Sequence, residues 1–228
     1  MKRKEKVQPK HMTYFDLLEA LTSRECPICH LTTQGIERFF DALLYENVNN
    51  SGVREQFQKN FGYCNYHAHK FAGYQDGMAI ALTHRGLLVE ILQSMKTPRK
   101  LQALVTRTSQ YCDVCAFSSD LEQRYLAVMM KHVDDEQLRE HFLGSEGLCF
   151  PHYQVVLREY NTRVPGWMSR FQEKKYTELL SVVERFLESC NFTSQEQRQE
   201  LTREESLSWQ KLVRTICSYD GRPSHHLV

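Results

Sequence analysis

The sequence predicts an all-α protein, with two similar metal-clipped helical repeats followed by C-terminal helices. Three observations predict it. A CxxC…CxxH arrangement occurs twice at nearly the same spacing. Apolar residues recur at helical intervals. No run of five or more residues alternates convincingly with the period of two that a half-buried strand requires.

The repeat sets the frame. Cys26-Pro27-Ile28-Cys29 is followed after 34 residues by Cys64-Asn65-Tyr66-His67, and Cys112-Asp113-Val114-Cys115 after 33 residues by Cys149-Phe150-Pro151-His152. The two CxxC pairs stand 86 residues apart and the two CxxH pairs 85. Residues between them keep the register. Glu37-Arg38-Phe39 answers to Gln123-Arg124-Tyr125, Arg54-Glu55-Gln56-Phe57 to Arg139-Glu140-His141-Phe142, and Gly62 to Gly147. Agreement over about forty residues marks a duplicated unit.

The elements follow in order. After the basic start Met1-Lys2-Arg3-Lys4 comes an amphipathic segment. Ile36, Phe39, Phe40, Leu43 and Leu44 then form the i, i+3, i+4 stripe of a helix, repeated by Leu121, Tyr125, Val128 and Met129. Short helices are expected at Val53–Asn60 and Glu136–Leu143, each leading through a glycine turn into CxxH. Longer ones are expected at Met78–Met95 and Lys174–Cys190. Pro98 marks the join between repeats, and Pro165-Gly166 interrupts the second. Ser194 with Gln197 has the pattern of a capping box for a last helix carrying Leu201, Trp209, Leu212, Val213 and Ile216. The expected organisation is a disordered basic N-terminus (1–11), a first repeat (12–100), a second repeat (101–192), a C-terminal helix (193–218) and a flexible tail (219–228).

Composition bounds the function. The 228 residues are 41% hydrophobic and 25% charged with a formal net charge of +1. These are values of an ordinary globular chain, without the field that draws a protein to nucleic acid or an anionic membrane. The basic start lacks the apolar stretch of a signal peptide, and no window approaches the roughly 18 apolar residues of a membrane span. A cytoplasmic location is therefore expected, in which eight cysteines serve as metal ligands or redox groups rather than disulfides.

Zinc takes four nitrogen or sulfur donors in a tetrahedron, and a closed set of four marks a structural site. CxxC places two thiolates on one turn. CxxH places its two donors on one face of a starting helix, with Gly62 and Gly147 supplying the unusual backbone angle just before it. The expected sites are Cys26, Cys29, Cys64 and His67, and Cys112, Cys115, Cys149 and His152, because a unit that folded alone before duplication needs its own complete site. The alternative shares ligands across repeats, joining both CxxC pairs into an all-thiolate site and both CxxH pairs into a mixed one. Two zinc ions per chain are expected. An iron–sulfur cluster is the alternative, since thiolate-rich sets hold these too.

Cys26-Pro27-Ile28-Cys29-His30 also reads as a c-type haem attachment motif. Ala116 replaces His30 in the second repeat, and both cysteines already have a downstream partner pair, so haem is rejected. Cys190 and Cys217 lack repeat counterparts and are expected to pack in the core. His69 is expected to be exposed. Arg54 and Arg139, with Glu55 and Glu140, are candidates to hydrogen-bond the metal thiolates, or to form a solvated face. The basic run Arg163, Arg170, Lys174 and Lys175 is diluted by Glu173 and Glu178, so nucleic-acid binding is not expected.

The eight ligand positions give the chain a resemblance to an uncharacterised family of bacterial and archaeal proteins with paired CxxC…CxxH units, defined only as a domain of unknown function. The resemblance spans residues 12–190 and implies no activity. Three functions follow from the residues. The leading one is a non-enzymatic protein whose two sites stabilise the fold and present a helical face to a protein partner. The second is an iron–sulfur or thiol-based redox or metal-responsive protein. The third is an enzyme with a pocket between the repeats, near His84, Arg38 and Arg124.

Overall fold

A computed structural model describes residues 10–47, 50–106, 112–191 and 201–221. Among these the protein is helical throughout, with no strand. The order is α1 (Met12–Ala20), α2 (Pro27–Ala42) with a π-helical turn (Leu43–Asn47), α3 (Ser51–Lys59), α4 (Asn65–Ala72), α5 (Gly77–Met95) and α6 (Pro98–Thr106). Then come α7 (Asp113–Lys131), α8 (Glu136–Leu143), α9 (Phe150–Tyr160) with a 3-10 turn (Asn161–Arg163), α10 (Gly166–Asn191), α11 (Arg203–Ser206) and α12 (Ser208–Cys217).

The chain divides into two compact units, and each draws on both repeats. The first takes the described residues of Met1–Leu31 and Glu122–Asp220, the second those of Thr32–Leu121 together with Gly221. Helices α2 and α7 each begin in one unit and end in the other.

In the first unit, α1 anchors on the start of α8. Asp135 caps α8 by accepting from the Leu138 N–H at 3.2 Å, and it also accepts from the Tyr14 hydroxyl at 2.5 Å. An N-cap of this kind satisfies a backbone donor that the helix itself cannot. Around this joint Tyr14, Leu17, Met129, Leu138 and Phe142 are fully buried. The long α10 packs against α11 and α12, and α12 against α9. In the second unit, Asn50 caps α3 as Asp135 caps α8, accepting from the Gly52 N–H at 2.9 Å. The core there is aromatic: Phe40 stacks on Phe71 with centroids 5.5 Å apart, and Tyr63 meets Phe57 edge-on at 4.9 Å. Such geometries add to the stabilisation from burying the rings.

Most elements lie where periodicity puts them. Glu136–Leu143 and the helix ending at Met95 match, while α10 starts eight residues before Lys174, directly after Pro165. A proline before or at the first turn costs no helical hydrogen bond, so Pro165 and Pro98 open helices rather than break them. The capping box expected at Ser194 lies outside the described residues. One forms instead at Thr202, whose hydroxyl accepts from the Glu205 N–H while the Glu205 carboxylate accepts from the Thr202 N–H. Within the described part of 193–218 two short helices form, α11 and α12.

Cys190 and Cys217, expected in the core, are exposed. For Cys217 the reason is the orientation of α12. The residues on its less exposed side are Ser208, Lys211, Leu212 and Thr215, while Trp209, Val213, Ile216 and Cys217 are exposed. His69 is exposed as expected.

Candidate metal centres

Each half of a site is built at a helix N-terminus. Cys26 and Cys29 flank the first turn of α2, and Cys112 and Cys115 that of α7. Cys64 and Cys149 are the N-cap residues of α4 and α9, with His67 and His152 three residues on. The turn before each CxxH needs a left-handed backbone: φ is +86° at Gly62 and +73° at Gly147. At both, glycine escapes the Cβ penalty. In the first unit Gln172 clasps the turn, accepting from the Leu148 N–H at 2.9 Å and donating to the Leu148 carbonyl at 2.7 Å.

The eight residues come together as two clusters, but not as the repeats suggest. One is Cys26, Cys29, Cys149 and His152; the other is Cys64, His67, Cys112 and Cys115. Each CxxC of one repeat meets the CxxH of the other. This corrects the within-repeat pairing, and the arrangement is not the all-thiolate alternative either. Helix lengths explain it. At about 1.5 Å per residue, α2 advances about 24 Å over its 16 residues and α3 only about 14 Å over nine. The second repeat shows the same imbalance, with 19 residues in α7 and eight in α8. The run leading away from each CxxC is about twice as long as the short helix that follows it, so the CxxH does not come back to its own CxxC.

The donor atoms of each cluster lie within 4.8 Å of one another. In the first unit His152 Nδ1 is 3.0 Å from Cys149 Sγ and 3.5 Å from both Cys26 Sγ and Cys29 Sγ, with Cys29 Sγ 3.6 Å from Cys149 Sγ. In the second His67 Nδ1 is 3.2 Å from Cys64 Sγ, 3.3 Å from Cys115 Sγ and 3.6 Å from Cys112 Sγ, with Cys64 Sγ 3.7 Å from Cys115 Sγ. Both histidines therefore turn Nδ1 toward the sulfurs. Two clusters of three cysteines and one histidine, all with free thiols, can each hold a metal ion.

Without metal, each cluster settles its charge unequally. Burial works against a Cys149 thiolate, yet hydrogen bonds from Cys26 and Cys29 and the charge of His152 hold that thiol well below its usual range. Burial pushes the Cys26 thiol well up, helped by Cys149 and Cys29. Burial also opposes charge on His152, but the Cys149 thiolate and the hydrogen bonds to Cys149 and Cys29 outweigh it, raising His152 well above the ordinary imidazole value. In the second unit a hydrogen bond from Cys115 draws Cys112 down to about 3, and that same bond raises Cys115. Burial raises Cys64.

Sequence reasoning missed three residues beside the first cluster. Glu122, 4% exposed, places Oε2 3.4 Å from His152 Nε2, an ion-pair distance rather than a hydrogen bond. Tyr219 donates to Glu122 Oε1 at 2.8 Å, and Ser218 Oγ lies 3.2 Å from Cys29 Sγ. Glu122 had a signal: it stands 86 residues after Ile36, a carboxylate where the first repeat has a core residue. Arg139, a candidate for the thiolates, instead lies over the Trp167 ring at 5.5 Å. His30 pairs with Glu25 at 2.9 Å. His84 packs against Phe57 and Phe71 with Nδ1 2.9 Å from the Ile80 carbonyl oxygen, and Arg38 and Arg124 are exposed. An open cavity of about 460 Å³ in the first unit is lined by Tyr153, Ser169, Glu173, Tyr176, Thr177 and Leu180, and by none of those three.

Fold and site together define a class: a helical protein with two cross-repeat Cys₃His clusters. The chain belongs to a family of unknown function (DUF6062), whose model matches residues 10–191. It is 26% identical over 186 residues to an uncharacterised 23.9 kDa protein in the xynA 3′ region of Caldicellulosiruptor sp. (strain Rt8B.4), covering 77% of this chain and 87% of that one. No solved structure matches it. Among the described residues no helix is long and apolar enough to cross a membrane.

Proposed function

We propose that the protein is a cytoplasmic zinc-binding helical module with two structural ions, each held by three cysteines and one histidine, and that its helical surface serves a protein partner. One observation carries the zinc reading. A tetrahedral ion with sulfur at about 2.3 Å and nitrogen at about 2.0 Å imposes ~3.8 Å between sulfurs and ~3.5 Å between sulfur and nitrogen. One sulfur pair in each cluster lies at 3.6 or 3.7 Å, the sulfur–nitrogen distances run from 3.0 to 3.6 Å, and all donor atoms of a cluster lie within 4.8 Å of one another. An iron–sulfur cluster distributes its ligands over several iron atoms and spreads them further, so the spacing favours a single ion.

Four protein donors leave no coordination position for a substrate, which supports a structural role over a catalytic one. Six ligand thiols must stay reduced, which supports a reducing compartment. The partner role is supported by large apolar side chains left in solvent, Met78, Leu88, Leu92 and Met95 on α5 and Trp209, Val213 and Ile216 on α12. The test is anaerobic purification followed by a visible spectrum and metal analysis by mass spectrometry. A colourless protein with two zinc ions per chain is expected. A brown protein with iron and sulfide would put the redox reading in its place.

A further inference from the structure

The clusters share a donor set but differ in what surrounds it. In the first unit all four ligands are buried, none more than 8% exposed. The C-terminal segment closes over them: the Ser218 hydroxyl meets Cys29 Sγ, and Tyr219 holds Glu122, which faces His152 Nε2. Ser218 has φ +73° and ψ −160°, a region that glycine alone occupies readily. Its N–H nevertheless donates to the Arg214 carbonyl at 3.0 Å and its hydroxyl is buried against the sulfur. This segment lies beyond residues 10–191, the part matched by the family.

The second cluster is less deeply covered, although Gly221 lies against the Tyr66 ring, next to His67. Cys64 and Cys115 are only half-buried, with their sulfurs adjacent. His67 is fully buried, and its Nε2, like that of His152, has no hydrogen-bond partner among the described residues. Where Gln172 clasps the Gly147 turn by hydrogen bonds, the Gly62 turn packs against the apolar side chains of Leu87 and Phe57. Groups that orient a metal ligand are typically worth 10- to 100-fold in metal affinity.

From this asymmetry, and resting on the metal-binding reading above, we propose that the Cys64, His67, Cys112 and Cys115 cluster is an exchangeable metal site, while the other is closed. A soluble thiol or chelator reaches the ion from the side of Cys64 and Cys115. Bonds from the metal to these sulfurs are replaced one at a time by bonds to the incoming donors. Each sulfur leaves as a thiolate that takes a proton from water, and no electron moves. In the first unit no ligand sulfur offers that approach. Ser218, Tyr219 and Glu122 are positioning residues for the closed site.

The experiment uses the full zinc-loaded chain with excess of the chromophoric chelator 4-(2-pyridylazo)resorcinol. Release is expected in two phases of one ion each, the fast at least about 10-fold quicker. Tyr219→Phe and Glu122→Gln should each speed the slow phase by about 10-fold and leave the fast one unchanged. If Glu122→Gln does not fold, Tyr219→Phe carries the test. Alkylation with N-ethylmaleimide, mapped by mass spectrometry, identifies the phases. Beyond the exposed Cys190 and Cys217, modification of Cys64 and Cys115 should track the fast phase and precede Cys26, Cys29 and Cys149. Two ions leaving in a single phase, or Cys26, Cys29 and Cys149 reacting first, would overturn the inference while leaving the two-zinc reading intact. A chain that binds no metal would remove both.

Discussion

Lowering the pH should strip metal from this protein steeply, and the structure sets how steeply. A bound ion needs thiolates and a neutral imidazole. In the metal-free first cluster Cys26 is held as a thiol and His152 as an imidazolium, both raised, whereas Cys149 is already a thiolate. In the second, Cys64 and Cys115 are raised and Cys112 is already a thiolate. Each site must therefore shed at least two protons when it fills. The metal-free form binds more protons than the loaded form, so rising pH favours loading and falling pH favours release. At about 1.4 kcal/mol per proton and pH unit, two protons weaken each site by about 100-fold per unit of pH. The assay is competition with a chelator of known affinity between pH 6 and 7.5, with proton release counted by calorimetry in buffers of different ionisation enthalpy. A slope below two protons per ion would refute this account of the metal-free clusters.

The remaining predictions concern pairing and folding. Because ligands pair across repeats, Cys29→Ser with Cys64→Ser, both in the first repeat, should abolish both ions. Cys29→Ser with Cys149→Ser should abolish one, and metal analysis of the two double variants separates the pairings. Asp135→Ala removes the cap of α8, the acceptor of the buried Tyr14 hydroxyl and the carboxylate partner of Lys10. About 1 kcal/mol for the cap and about 1–3 kcal/mol for the hydroxyl give a loss of about 2–4 kcal/mol in chemical denaturation. Asp135→Asn, which keeps an acceptor at both places, should lose less. Gly147→Ala puts a Cβ 2.9 Å from Gln172 Oε1 at a φ of +73°. It should cost at least about 1–2 kcal/mol from the left-handed backbone alone and speed metal release from the first cluster, measured by the same chelator assay.

Much of the fold was legible because helices announce themselves locally. The stripes at Ile36, Phe40 and Leu43 and at Leu121, Tyr125 and Met129 are buried as their spacing implies. The positive φ at Gly62 and Gly147 follows from the need to turn into CxxH. The ligand types could be read, and their partners could not. Pairing depends on how far α2 and α3 carry the chain, a quantity that no four-residue motif contains. Cys217 misled because α12 has an apolar stripe, and a stripe does not say whether it faces protein or solvent. Ser218 and Tyr219 were invisible for another reason: they reach Cys29 and Glu122 across 189 and 97 residues of sequence, with nothing in the repeat to point at them.

X-ray absorption at the metal edge, with metal counting on the same sample, tests the central claim most directly. The account predicts two zinc ions per chain, each with three sulfurs at about 2.3 Å and one nitrogen at about 2.0 Å and no water in the shell. A chain without stoichiometric metal, iron in place of zinc, or an average shell other than three sulfurs and one nitrogen would contradict it.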